Sequence, residues 1–403
     1  MNRLNTKRLL SGYFFYECGR AMYFVLITWF LYQWTGDALY TGLFVSFGFI
    51  PGLFSNLIFG VLVDRKNRKR LASIAGLCSI ICLVFLWGAF FIDWIHPLVM
   101  IVSHMVLQTL GSLFRPSLQA LVAEVFPKED LPRIFTWSAS STVAGSLCGA
   151  SLGGILAGWL TVTSSLVVVV CLYLGAWVTV ELISYTPIPK QELTEPTSFI
   201  KEMKDGFTYV HTHQMLYGLF IMMMLGQLTF HTTLGFLSVY TSAHLQQSSI
   251  IYGFLDSTFS IGGIVAGLIG TWWWMKCKDR LAVWSLLIMA AGLALVGLTS
   301  HVWVAFLGFA MIGLGTSFVR ALLQSIQQMA TDPHFHGRMS SLRMLGNQTS
   351  VVITGPIFGI VATSQGAYMV FLLLLFPVLL GVLWAIKQSK HPAFIEITSQ
   401  QSA

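Results

Sequence analysis

A series of apolar runs, separated by short polar intervals, occupies almost the whole length of this 403-residue chain. About 20 consecutive apolar residues form a helix long enough to cross the hydrocarbon layer of a bilayer, and the runs reach that length. Only 10% of the residues are charged, whereas soluble domains carry about 25%, so the composition excludes a soluble domain with a polar surface. The sequence predicts an all-α membrane protein with 12 transmembrane helices in two six-helix bundles. The predicted spans are 9–33, 41–63, 71–92, 97–122, 135–160, 163–184, 213–241, 250–274, 281–299, 302–329, 338–362 and 366–387.

Lysine and arginine are confined almost entirely to alternate intervals between the predicted spans. Because cytoplasmic loops carry the excess of these residues, we expect a multi-pass protein of the cell (inner or plasma) membrane with both termini in the cytoplasm. The net charge of +7 follows from this topology, so we expect no nucleic-acid partner. The intervals that contain neither Lys nor Arg are 34–40, 93–96, 161–165, 242–249, 300–301 and 363–365.

The longest polar interval, residues 186–214, divides the spans into two sets of six. Its proline-rich start cannot continue a helix, whereas its second half predicts an amphipathic helix on the cytoplasmic face. We therefore expect an N-terminal six-helix bundle at 1–185, a cytoplasmic linker at 186–212 and a C-terminal six-helix bundle at 213–403. The apolar residues at helical spacing in the predicted helix are Phe199, Ile200, Met203, Phe207 and Val210.

Two charged residues, Glu17 and Arg20, lie three positions apart in the first span. They are about 13 and 18 Å from its cytoplasmic end at 1.5 Å per residue, a depth where charge is costly and faces a partner or a watery cavity. The pair either neutralises itself and stabilises the first bundle, or Glu17 carries a coupling proton under the influence of Arg20. Asp256, about 12 Å from the external end of span 8, is either a second coupling residue or a polar group at a helix contact.

Two arginines, Arg115 and Arg320, lie within spans 4 and 10, about 27 Å from the external ends. A long side chain at this position can reach the cytoplasmic interface. We expect each to pair with Glu124, Asp64 or backbone carbonyls, and to act in gating rather than in substrate contact.

The segment GVLVDRKNRKR, residues 60–70, places one acid among five basic residues directly after span 2. It resembles the loop 2–3 signature of the major facilitator superfamily, Gly-x-x-x-Asp-Arg-x-Gly-Arg-Lys/Arg. Asn67 replaces the second Gly of that signature, and we expect a positive φ there. The residues that carry the resemblance are Gly60, Asp64, Arg65, Arg68 and Lys69.

The acidic residue of this segment, Asp64, can accept hydrogen bonds from a neighbouring helix N-terminus or pair with an arginine of the other half. Such contacts would hold the cytoplasmic side shut, and the alternative is a topology signal alone. The candidate gate residues are therefore Gly60, Asp64, Arg65, Arg68, Arg115 and Arg320.

The resemblance covers essentially the whole chain and is greatest to bacterial drug-efflux permeases of the macrolide-efflux type, through GVLVDRKNRKRL and FRPSLQALVAEVFPKEDL. It implies that spans 1, 4, 7 and 10 line a central cavity. Pairs at i and i+4 on spans 4 and 7 would then face substrate or protons, although each histidine has packing as an alternative role. The candidate cavity residues are His104, Gln108, Gln227, His231 and, on span 11, Asn347.

Two further signatures of the family are altered. Span 5 keeps the glycines of the antiporter motif at Gly145, Gly149, Gly153 and Gly154 but lacks its proline. The arginine that the family associates with proton coupling in span 4 would fall near Leu107 and is absent. Both changes concern the coupling mechanism more than the efflux function.

The sequence predicts a secondary active transporter that exports lipophilic or amphipathic compounds by alternating access, in exchange for protons. It contains no Walker-type, nucleophile-elbow or metal-ligand motif, so we expect no enzymatic activity, cofactor or metal. The expected partners are a small amphipathic substrate, protons and the lipid bilayer, with the protein as a monomer and its six cysteines unpaired. Two alternatives are export of a lipid, siderophore or endogenous peptide, and a membrane sensor or scaffold without transport.

Overall fold

The computed structural model describes residues 3–185, 199–332 and 335–400, and within these ranges the chain is helical without β-strands. A π-helical turn, Tyr240–His244, follows α8, and a 3-10 turn, Lys278–Arg280, joins α9 to α10. The helices are α1 (Arg3–Thr35), α2 (Ala38–Arg65), α3 (Arg68–Phe91), α4 (Pro97–Val125), α5 (Leu131–Trp159), α6 (Val162–Glu181), α7 (Phe199–Thr212), α8 (Gln214–Val239), α9 (Ser249–Cys277), α10 (Leu281–Leu298), α11 (Val302–Ala330), α12 (His336–Gln365), α13 (Ala367–Gln388) and α14 (Pro392–Gln400).

The predicted spans coincide with α1–α6 and α8–α13, with ends that differ by a few residues. The all-α membrane fold is thus confirmed. Ten segments of the described chain are long and apolar enough to cross a membrane, and one of them, Ser249–Leu298, covers both α9 and α10. Since α1 is not among these ten, the number of twelve spans stays a prediction.

Short polar side chains begin several of the helices. Asp37 accepts a hydrogen bond from the Leu39 amide at the start of α2 (2.8 Å), and Asn67 accepts one from the Arg70 amide at the start of α3 (3.0 Å). These bonds satisfy N–H groups that have no partner within the helix. Asn67 has a φ of −65°, so the expected positive φ is wrong. The physical reason is that this asparagine serves as a helix cap, which requires an extended backbone.

Helices α1 and α5 approach each other closely because glycines of α5 face the backbone of α1. A Cβ atom at Gly145 would overlap the carbonyl oxygen of Phe14, and one at Gly149 would overlap that of Cys18. At Gly153 a Cβ would lie 3.2 Å from the Cα of Met22. The glycine-rich pattern of span 5 therefore positions the α1 residues that precede and follow Glu17.

The chain divides into two compact units, Met1–Leu193 with Gln247–Ser257, and Thr194–Gln246 with Thr258–Ala403. The predicted domain limits at 185 and 213 remain a prediction. Within the second unit, the expected amphipathic helix is present as α7, whose Val210 is buried with Met339 and Leu342 of α12. Residues 186–198 of the predicted linker lie outside the described part of the chain.

Candidate functional site

The centre of the first unit contains a buried carboxylate with two arginine partners. Glu17 lies near the middle of the 33-residue helix α1, and its side chain is 6% exposed. One turn later on the same helix, Arg20 donates from Nε to Glu17 Oε2 at 2.7 Å. The i, i+3 spacing places both side chains on one face of α1. The structure therefore contains the Glu17–Arg20 pair that the sequence predicts.

The second partner of Glu17 comes from another helix. Arg115 of α4 donates from Nε to Glu17 Oε1 at 2.9 Å, and its side chain is 45% exposed. The expected partners of Arg115 were Glu124, Asp64 or backbone carbonyls. The structure instead pairs Arg115 with Glu17, so Arg115 belongs to the buried charge cluster of the first unit. Each carboxylate oxygen of Glu17 accepts from one guanidinium, which leaves the Glu17, Arg20 and Arg115 group with a net charge of +1.

Aromatic rings enclose this group of charges. Tyr16 stacks on Phe114 at a centroid distance of 4.4 Å and meets the edge of Tyr173 at 5.4 Å. The guanidinium carbon of Arg115 lies 5.6 Å from the centre of the Tyr16 ring. Rings of low polarity lower the local dielectric constant and strengthen the ion pairs. A Cβ at Gly111 would lie 2.6 Å from the hydroxyl oxygen of Tyr16, so a larger residue there would displace the Tyr16 ring.

Asp256, the second predicted coupling residue, belongs to the same compact unit. It is 7% exposed, and its carboxylate interacts electrostatically with Arg20. None of the ion pairs among the described residues includes Asp256. Of the three residues expected to act in proton coupling, Arg20 thus pairs with Glu17 and interacts electrostatically with Asp256. When Asp256 is ionised, two acids balance Arg20 and Arg115.

His104 occupies an aromatic pocket in the first unit. Its ring stacks on Phe44 at 3.9 Å and lies parallel to Tyr23 at 6.0 Å. Its Nδ1 atom has no hydrogen-bond partner among the described residues. A Cβ at Gly48 would lie 2.7 Å from the His104 ring and 3.3 Å from Gln108 Cγ, so both predicted cavity residues face α2 at this glycine. This packing accounts for the position of His104, and contact with substrate remains a prediction.

The second unit contains a polar group of a different composition. Gln227 Nε2 and His231 Nε2 lie 2.6 Å apart on α8. Arg320 of α11 places its guanidinium carbon 4.4 Å from the ring centre of Phe230. Arg343 of α12 donates to Gln327 Oε1 at 3.3 Å. The predicted pair of Gln227 and His231 is thus in contact. The neighbouring Phe230 ring packs against the positively charged Arg320.

Among the described residues, the two arginines of this group have no acidic partner. All four ion pairs among the described residues lie in the first unit. Arg320 and Arg343 repel each other electrostatically. Asn347, one turn after Arg343, has a buried Oδ1 without a hydrogen-bond partner in the described chain. Within the described part of the second unit, helices α11 and α12 therefore present positive charge without an acidic partner.

The basic segment after α2 forms an ion-pair network with neighbouring helix ends. Arg68 donates to the carbonyl of Ala120 (3.1 Å) and pairs with Glu124 of α4 at 2.8 Å. The hydroxyl of Tyr185 donates to the other oxygen of Glu124. Lys69 donates to the carbonyls of Glu181 (2.7 Å) and Ile183 (3.0 Å). These contacts join α3, α4 and the end of α6 within the first unit.

The remaining predicted gate residues can be placed only in part. The backbone of Gly60, Asp64 and Arg65 belongs to α2, but their side-chain surroundings lie outside what the structure describes. Gating by these residues and by Arg68, Arg115 and Arg320 stays a prediction. Sequence reasoning named Glu124 as an arginine partner but missed that Arg68 is that arginine. It also missed Tyr185, which lies where the apolar pattern of span 6 ends.

A multi-pass bundle of apolar helices that holds paired charges in its interior has the architecture of a membrane transporter. The model of the Major Facilitator Superfamily matches residues 9–242 and 219–398 of the chain. The chain therefore belongs to this superfamily.

The relatives of this chain include two kinds of efflux protein and a further transporter. Macrolide efflux protein A of Streptococcus pyogenes is 23% identical over 334 residues, which cover 78% of this chain and 79% of that protein. The multi-drug resistance efflux pump PmrA of Streptococcus pneumoniae is 27% identical over 259 residues, or 63% and 60% of the two chains. The Staphyloferrin A transporter of Staphylococcus aureus is 23% identical over 368 residues, or 89% and 91%. The expected similarity to drug-efflux permeases is confirmed.

Solved structures show the same fold. The nucleoside transporter NupG superposes with a TM-score of 0.76 at 15% sequence identity, over 97% of this chain and 100% of NupG. This similarity concerns the fold alone. The family match and the efflux relatives, in contrast, establish a multi-pass membrane transporter of small molecules.

Proposed function

We propose that the protein exports amphipathic small molecules from the cell in exchange for protons, by alternating access. It acts as a monomer of the cell membrane, with both termini in the cytoplasm. The efflux relatives support the direction of transport, and the Lys and Arg distribution supports the orientation.

The observation that carries this proposal is the buried Glu17 carboxylate between Arg20 and Arg115. Ionised groups at this depth are costly, and in transporters they mark ion or proton pathways. Protonation of Glu17 removes its charge, so both guanidinium groups lose an ion-pair partner. The cluster therefore has two charge states that differ in what they can bind.

Exchange follows when substrate and proton compete for these states. A basic group on an amphipathic substrate is favoured by the ionised carboxylates of Glu17 and Asp256 and is disfavoured once either is protonated. Proton binding from the external side then releases substrate there, and proton loss to the cytoplasm restores the state that binds it.

A drug-susceptibility panel in a host that lacks its own efflux pumps tests the proposal. Expression should raise the inhibitory concentration of some lipophilic or basic compounds, and a protonophore should abolish that increase. Unchanged susceptibility across the panel, with ligand binding to the purified protein but no flux, would instead support a sensor or scaffold without transport.

A second candidate function is the export of a compound that carries anionic groups, such as a siderophore. Arg320 and Arg343 favour it, because neither has an acidic partner among the described residues. The similarity to the Staphyloferrin A transporter supports it as well. Carboxylates bind arginine through paired, charge-assisted hydrogen bonds.

Substitution of the two arginines separates this function from the first. Arg320→Gln and Arg343→Gln should each weaken the binding of a carboxylate-bearing substrate about tenfold, since hydrogen bonds to charged groups contribute about 1.5–3 kcal/mol. Transport of a basic amphiphile should change little. Arg338→Gln is the matched control, because it removes one positive charge from the same unit. The Arg338 guanidinium packs on the Phe335 ring at the first turn of α12, at 5.0 Å from the ring centre. Equal affinity for the carboxylate-bearing compound in all variants would exclude this second function.

A further inference from the structure

A cavity of about 600 Å³ lies in the second unit, away from the polar groups described above. Its wall is formed by the end of α7, the start of α8, the end of α13 and the start of α14. The residues that contribute charge or aromatic rings to it are His211, Tyr217, Trp384, Lys387, Lys390 and His391. The lining contains no Asp or Glu among the described residues, so the cavity is basic.

Backbone groups add to this positive character. The 26-residue helix α8 begins at Gln214 without a side-chain cap, because the ring of His213 interacts with the carbonyl of Tyr209 instead (2.8 Å). The N–H groups of the first turn of α8 therefore keep their capacity to bind an anion, and the helix dipole favours negative charge there. Gln214 and Met215 of that turn line the cavity.

One buried polar side chain in the lining lacks part of its hydrogen bonding. Gln388 is 5% exposed, and its Nε2 donates to the carbonyl of Met215 at 2.9 Å. Its Oε1 has no partner among the described residues. That oxygen is enclosed and faces Gly218 of α8, where an added Cβ would overlap it. Gln388 therefore joins the end of α13 to the start of α8 and fixes the shape of the basic cavity.

The surroundings of the cavity connect it to the lipid surface. Leu383, Trp384 and Ile386 are 64%, 42% and 42% exposed on the last turns of α13, immediately before Lys387. Exposed apolar residues on a membrane span face acyl chains, and tryptophan is typical of the interface with the headgroups. A ligand whose anionic part enters the cavity would therefore lie at the level of the headgroups, with its apolar part beside α13.

We infer that this cavity binds the headgroup of an anionic phospholipid, with the phosphate at Lys387, Lys390 and the start of α8. Basic pockets beside membrane spans bind such headgroups. The lipid comes from the leaflet that the charge distribution assigns to the cytoplasm. This inference rests on that topology but not on the transported substrate or on proton coupling.

Lipid binding to the purified full-length protein in detergent tests the inference. Native mass spectrometry would count bound dioctanoyl phosphatidylglycerol, with dioctanoyl phosphatidylcholine as the zwitterionic comparison. The double variant Lys387→Gln/Lys390→Gln should bind phosphatidylglycerol about tenfold more weakly than the original protein. Lys276→Gln/Lys278→Gln is the matched control, since it removes two exposed lysines that do not line the cavity.

The outcomes distinguish the alternatives. Loss of phosphatidylglycerol in the Lys387/Lys390 variant alone, with a normal elution profile, supports the inference. Equal binding by this variant and the original protein would overturn it, as would an equal loss in the Lys276/Lys278 control. Competition by inorganic phosphate at millimolar concentration, with no preference for phosphatidylglycerol over phosphatidylcholine, would assign the cavity to free phosphate and overturn the lipid part.

Discussion

Glu17 is the residue on which the interior charges of the first unit depend. Both of its carboxylate oxygens accept from arginine, and its side chain is almost inaccessible. A buried ion pair is weak support for stability in itself, but removing one partner leaves the other charges uncompensated. Glu17 is thus needed for the present positions of Arg20 and Arg115, whatever its role in transport.

Replacement of Glu17 by Ala should lower the stability of the protein by about 1–3 kcal/mol. The loss is smaller than for fully buried arginines because Arg20 and Arg115 are 33% and 45% exposed. The midpoint of thermal unfolding in detergent checks this prediction. Glu129→Gln, a change of an exposed loop carboxylate, should leave the midpoint unchanged. A midpoint for Glu17→Ala equal to that of the original protein would show that the two ion pairs contribute no stability.

At this scale the sequence could predict the Glu17–Arg20 pair but not Arg115 as the second partner. Residues three apart on one helix must share a face, so the first contact follows from helical geometry. The contact between α1 and α4 depends on how the helices pack, which no local pattern specifies. The same applies to His104, whose stacking on Phe44 depends on the absence of a side chain at Gly48.

The close packing of α1 against α5 fixes the position of the Glu17 site. Gly149 lies against the backbone of Cys18, the residue after Glu17. Backbone atoms cannot rotate away from an added methyl group as a flexible side chain can, so a larger residue must separate the two helices. The position of Glu17 relative to Arg115 would then change as well.

Gly149→Ala should destabilise the protein by about 1–3 kcal/mol through overpacking and should also reduce transport. Gly88→Ala is the matched control on α3, where an added Cβ has no neighbour within 4 Å. That control should be neutral or slightly more stable, because Ala is the better helix former by about 1 kcal/mol. Thermal unfolding and substrate efflux of both variants would be compared. Equal behaviour of the two variants would contradict the proposed constraint between α1 and α5.

Helix positions were predictable because an apolar run of sufficient length has few alternatives in a bilayer. The starts of α2, α3 and α6 precede the predicted spans because short polar side chains, Asp37, Asn67 and Thr161, cap these helices before the apolar runs begin. A hydropathy pattern does not record such caps. Capping also explains why the expected conformation of Asn67 was wrong.

For the whole molecule, the distribution of Lys and Arg assigns the side of every loop. In intact cells, a cysteine at Ser300→Cys should react with a membrane-impermeant maleimide, after correction for labelling of the six native cysteines. A cysteine at Lys128→Cys should react only after permeabilisation. The reverse pattern would show that the proposed orientation is inverted.

Proton flux through the protein in liposomes tests the central claim most directly. With a pH-sensitive dye inside the vesicles, the original protein and Glu129→Gln should move protons only when substrate is present, and should concentrate substrate against its gradient. Glu17→Gln, which keeps the shape of the side chain but cannot be ionised, should lose both activities and still allow substrate to move down its gradient. If Glu17→Gln concentrates substrate and moves protons as the original protein does, Glu17 is not the coupling residue.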